Sequence, residues 1–115
     1  MQDIKKQELI KLAEEVIEKN TYVAEVLERV YELVPFNKEM LKYECDIALG
    51  KAFGAMEILR GIEVCDRTVY NKTIEQARRD IKKVNKGDIA ELLSLIGLDV
   101  KDLMVVAIKR GRIDD

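Results

Sequence analysis

The sequence predicts an all-α protein, a compact bundle of about six helices packed around a long central helix at about residues 38–60 and ending in a C-terminal αα-hairpin. Three observations point there. Leu41, Cys45, Ala48, Ala52, Ala55, Leu59 and Ile62 follow one another in alternating steps of four and three residues, the spacing two helices need to stay in register. Capping boxes, Thr73 with Gln76 and Asp88 with Glu91, open two of the other amphipathic segments. The composition, 48% hydrophobic and 37% charged with one proline, leaves little room for long loops. With 115 residues the chain makes a single helical domain, residues 1–115, large enough for one core.

The first helix is expected at about residues 4–19, with Leu9, Ile10, Leu12, Ala13, Val16 and Ile17 on its apolar side. Asn20-Thr21 reads as punctuation, with Thr21 the N-cap of a second helix reaching about Leu33. Pro35 ends that helix, because proline disfavours helical backbone at the residue before it. The central helix follows. The middle of its seam is small, and Gly50 and Gly54 form a second small pair on another face. Each glycine costs about 1 kcal/mol against alanine in a helix interior, so the pair implies a contact that needs bare backbone. Lys42, Asp46, Glu57 and Arg60 make one narrow polar stripe, and the rest of the helix is apolar enough to be buried nearly all round. Glu44 and Lys51 break that arc as snorkelling side chains or as a buried pair.

Whether the central helix stops near Gly61 or runs on to Tyr70 is open from the pattern alone. Asn71-Lys72-Thr73 reads as a break, followed by a short helix at about residues 74–84. A further helix begins at Asp88 and stops at Gly97, which sits where a left-handed residue belongs. Asp99 caps a last helix at about residues 100–109.

Absences narrow the chemistry. With no histidine, Ser-His-Asp and Cys-His catalysis and histidine-ligated metals are excluded. No glycine-rich phosphate loop is present. There is no tryptophan, and Phe36 and Phe53 read as core, which leaves no stacking platform for single-stranded nucleic acid. Cys45 and Cys65 form no C-x-x-C and read as buried hydrophobes. No cofactor is implied. No apolar stretch of ~18 residues and no secretory leader is seen, so the chain is expected to be cytoplasmic, away from membranes. Abundant Lys, Glu and Ile suggest a thermophilic source.

Carboxylates remain. Glu15-x-x-Glu18 and Glu63-x-x-Asp66 each place two carboxylates one helical turn apart, and two such pairs face to face could hold Mg²⁺. Together with Leu9-Ile-Lys-Leu-Ala-Glu-Glu, the arrangement resembles the MazG-like nucleotide pyrophosphohydrolases, whose metal site uses an E-x-x-E pair followed by an E-x-x-D pair. The resemblance implies Mg²⁺-dependent hydrolysis by Glu15, Glu18, Glu63 and Asp66. The bland reading of the same residues is a solvated acidic surface.

A second alternative is nucleic-acid binding. Arg78, Arg79, Lys82 and Lys83, with Lys86 beyond them, make one basic helix face. The C-terminal hairpin, with Lys109, Arg110 and Arg112, has the outline of a helix-turn-helix. Its second helix is poor in base-reading side chains. The first two helices are acidic and residues 72–86 basic, so the chain can neutralise itself internally or across a twofold dimer. The favoured expectation is therefore a non-enzymatic interaction or regulatory protein, self-associating or binding another protein.

Overall fold

The computed structural model describes residues 3–34, 38–85 and 87–101. Among these the protein is all helical: α1 (Asp3–Leu33), α2 (Lys38–Gly61), α3 (Arg67–Lys83) and α4 (Ile89–Ser94). Four helices stand where about six were expected, and the hub has moved. The long helix on which α2, α3 and α4 all pack is α1, not the glycine-bearing α2.

α1 is one helix of 31 residues rather than two, about 46 Å long at 1.5 Å per residue. Asn20 does not punctuate it, because its side-chain amide donates to the Val16 carbonyl one turn back at 2.9 Å. Thr21 caps nothing. It is 1% exposed and lies among the core residues of the helix, where packing outweighs the small intrinsic reluctance of threonine to be helical.

α2 runs back along α1, as its two ends show. Its start, Met40 and Leu41, joins a core cluster with Val26, Leu27, Val30 and Val34 from the far end of α1 and with Leu92 and Leu93 of α4. Its finish, Ala55, Met56 and Leu59, joins Ala13 and Ile17 near the start of α1. The anticipated seam is the buried one: Leu41, Ala48, Ala52, Ala55 and Leu59 are buried, and Cys45 and Ile62 partly so. Between the two clusters the buried residues are small, namely Thr21, Ala24, Ala48, Ala52, Thr73 and Ala77.

α2 stops at Gly61 rather than running on to Tyr70, but the left-handed residue that closes it is Glu63. The Val64 amide donates to the Leu59 carbonyl at 2.8 Å and the Glu63 amide to that of Arg60 at 3.1 Å. These are the two bonds of a Schellman motif, with Glu63 in the left-handed position at φ 59°. A side chain there costs about 1–2 kcal/mol. Glu63→Gly is therefore expected to stabilise the fold by about 1 kcal/mol, after allowing for the unfolded-state freedom glycine adds. A urea titration checks this, and an unchanged or lower midpoint would mean the turn is not strained.

α3 starts seven residues earlier than the sequence suggested. Thr73 is internal, its hydroxyl donating to the Val69 carbonyl at 2.7 Å, so its capping role disappears. Asp66 precedes the helix, but its carboxylate accepts from Arg60 Nη2 at 2.6 Å and Nε at 3.2 Å rather than capping. α3 runs parallel to α1, with Val69 and Tyr70 packed near its start and Ile81 and Val84 near its end.

α4 behaves as expected. Asp88 Oδ1 accepts from the Glu91 amide at 3.0 Å. Gly97 is left-handed at φ 74°, and Leu98 and Gly97 return amide bonds to Leu93 and Ser94. The Glu91 carboxylate, however, reaches the Asn85 amide rather than that of Asp88. The expected last helix and the second half of the C-terminal hairpin lie outside the described residues beyond Lys101.

A candidate interaction surface

The side of α2 opposite its seam is open. Tyr43, Ile47, Gly50, Gly54 and Ile58 recur at three- and four-residue steps, which puts them on one stripe. Phe53 and Ile58 are each 47% exposed, Tyr43 51% and Ile47 37%. Phe53 is thus not core. It leans on Tyr70 of α3, ring centroids 6.0 Å apart. Among the described residues, a Cβ added at Gly50 or Gly54 would meet nothing within 4 Å, so no contact there calls for the two glycines. Alanine at either position would favour the helix by about 0.8–1 kcal/mol.

The open area extends over α1. A groove of about 420 Å³ between the two helices is lined by Lys19, Val23, Leu41, Ile47, Lys51 and Leu98. Glu44 and Lys51, the two charged side chains that interrupt the apolar arc, both border it. Leu12 and Val16 lie on the helical face of Lys19 and Val23 and remain 60% and 39% exposed. Apolar side chains of both helices line this groove, and Ile47 joins it to the glycine stripe of α2. The sequence carried this signal in the glycines, but the apolar residues beside them read equally well as core.

The basic helix turns partly inward. Arg78 Nε lies 3.6 Å from Glu25 Oε2 of α1. Arg78 and Lys82 line a cleft of about 530 Å³ with Glu25, Glu28 and Glu32. Burial pushes the Glu25 carboxyl up despite the pull of Arg78, so the pair does not fully offset what burial costs. Arg79 donates to Gln76 on its own helix at 2.9 Å, and Lys82 and Lys83 are exposed. Lys86, Lys109, Arg110 and Arg112 lie outside the described residues.

The carboxylates are dispersed. Glu15 and Glu18 are exposed on α1, Glu63 is exposed in the left-handed turn rather than on a helix, and Asp66 is engaged by Arg60. Among the described residues no three Asp, Glu, Cys or His side chains gather into a set that could hold a metal ion.

Two aspartates are held below the usual carboxylate range: Asp66 by the Arg60 guanidinium, and Asp80 by the Tyr22 hydroxyl, which donates to its Oδ2 at 2.7 Å. Burial first, and then Asp80, pushes Tyr22 up to about 12. A depressed carboxyl adds stability above its unfolded pKa of about 4 and loses it as pH falls through the lower folded value. A raised tyrosine favours the fold below about pH 10 and loses that contribution towards pH 12. Stability is expected to fall on both flanks. Urea titrations of the wild type and of Asp80→Asn check it, the variant showing a shallower acid-side loss.

The cysteines differ from the sequence expectation. Cys45 is half-buried, its thiol donating to the Ala24 carbonyl at 3.5 Å, and burial pushes its pKa up. Cys65 is exposed, 3.3 Å from the Thr68 hydroxyl, and its hydrogen bonds to Thr68 pull its pKa down. Cys65 is expected to react with a disulfide reagent at neutral pH at least about tenfold faster than Cys45. Labelling followed by peptide mapping checks this, and equal rates would contradict it.

No helix among the described residues is long and apolar enough to cross a membrane. No protein-family model matches the sequence, and no curated protein or solved structure matches it either.

Proposed function

We propose that the protein is a non-enzymatic interaction module whose working surface is the open face of α1 and α2. One observation carries the reading: Gly50 and Gly54, unfavourable in a helix and with room for a Cβ among the described residues, lie among exposed Tyr43, Ile47 and Ile58. Small residues at a helix surface let a second backbone approach closely, and apolar neighbours supply the area such a contact buries. The partner is a helix presenting an apolar stripe.

The nucleic-acid alternative is weakened by Arg78 and Lys82, which line a cleft with three glutamates. The metal-dependent hydrolase alternative lacks a gathered carboxylate set among the described residues.

The test places a photo-reactive benzophenone amino acid at position 58 in the full chain, in cells that express it, with position 75 on α3 as control. Mass spectrometry then identifies each adduct. A defined protein adduct from position 58 and none from position 75 supports the reading. Its absence at both overturns it.

A further inference from the structure

We propose that the groove between α1 and α2 is the seat of this chain's own residues 100–108. The inference goes beyond the docking reading: it fills the groove from within the chain and leaves Gly54 and Ile58 of the open stripe to a partner.

The chain itself leads into the groove. Leu98, one residue past the left-handed Gly97, lines it together with Val23, Leu41 and Ile47. The backbone is helical again at Val100 and Lys101, the last of the described residues. Only Asp99 lies between the groove and that helical start. A segment tethered so closely acts on the groove at an effective concentration in the millimolar range, which a separate helix free in solution does not match.

The sequence that follows carries a matching stripe. Counted from Val100, Leu103, Met104, Ala107 and Ile108 fall at i+3, i+4, i+7 and i+8, the spacing of a single apolar helix face. Lys101, Asp102, Val105, Val106 and Lys109 fall outside it. Such a face needs an apolar seat with charge at its rim, and the groove has Lys19, Glu44 and Lys51 at its border. Along α1 the same side continues from Val23 to Val16 and Leu12, which are 39% and 60% exposed. From Val23 back to Leu12 is about 16 Å at 1.5 Å per residue, and nine helical residues span about 14 Å. Seat and segment match in length, and their contact removes apolar surface of both from water.

Photo-crosslinking of the purified full chain at low micromolar concentration tests the inference. A benzophenone amino acid stands at position 104 on the stripe or, as control, at position 105 outside it. The expected adduct has the mass of one chain, maps from position 104 to residues 19–27 or 40–51, and is absent from position 105. Urea titration adds a readout free of the bulky probe. Leu103→Asp is expected to lower the unfolding midpoint by about 1 M, and Val105→Asp to leave it nearly unchanged. No groove adduct from position 104, an adduct of two-chain mass, or equal midpoints for the two variants overturns the inference. Position 58 reads the docking surface separately, because it lies about 16 Å along α2 from Ile47. An adduct there with another protein stands if position 104 fails, and its absence leaves the groove result untouched.

Discussion

Leu59→Ala is expected to cost about 2–5 kcal/mol of stability. Leu59 is fully buried in the smaller core cluster, whose buried members are Ala13, Ile17, Ala55, Met56 and Leu59. Two of the five are alanines, so Ile17, Met56 and Leu59 supply most of the apolar volume there. Where the loss falls in that range depends on how far Ile17, Met56 and the partly buried Ile10, Ile62, Val64, Val69 and Tyr70 close around the vacancy. A chain this size is stable by about 6–17 kcal/mol, so the loss is a large share. Urea unfolding followed by circular dichroism measures it, and a loss under 1 kcal/mol would mean the cluster repacks freely. Combined with Leu93→Ala in the other cluster, the effects should add within about 0.5 kcal/mol, since the two sites share no partners.

Thr21→Val is expected to act in the opposite direction, stabilising the protein by about 1–2 kcal/mol. The Thr21 hydroxyl is buried and has no hydrogen-bond partner. In a helix such a hydroxyl often bonds the carbonyl four residues back, as Thr73 does to Val69, but Thr21 does not. An orphaned buried polar group costs about 1–3 kcal/mol, and a methyl of nearly the same shape removes that cost. Thr21→Ser is the informative control. It keeps the orphan and deletes a methyl, for a loss of about 1 kcal/mol. Opposite signs for the two variants are the expected result. If valine destabilises as serine does, the hydroxyl is being satisfied.

Local chemistry was legible along the chain wherever the deciding atoms are close in sequence. The seam of α2 was readable because helical spacing alone sets which residues share a face. Asp88 and Gly97 were readable because each cap is settled within a turn of its own position. The same locality misled at Asn20-Thr21 and at Thr73. Polar side chains that suit a cap can instead bond back into the helix or be enclosed by packing, and only the neighbouring helices decide between these. Glu63 carried no signal: amide bonds from Val64 to the Leu59 carbonyl and from Glu63 to that of Arg60 hold it in the left-handed position, while Gly61, the residue suited to it, falls two positions early.

By itself, then, the sequence determined the helical class, the buried seam of α2, the left-handed stop at Gly97 and the lack of histidine chemistry, since all depend on residue type and short-range spacing. Tertiary structure alone decided that α1 is the hub, that Arg78 meets Glu25, that the carboxylates of residues 15, 18, 63 and 66 stay dispersed, and that Ile47, Phe53 and Ile58 face outward. An apolar side chain has the same periodicity whether it meets a neighbour or solvent. Which of the two it meets depends on how many helix faces the rest of the chain can cover, and α1 covers only one face of α2.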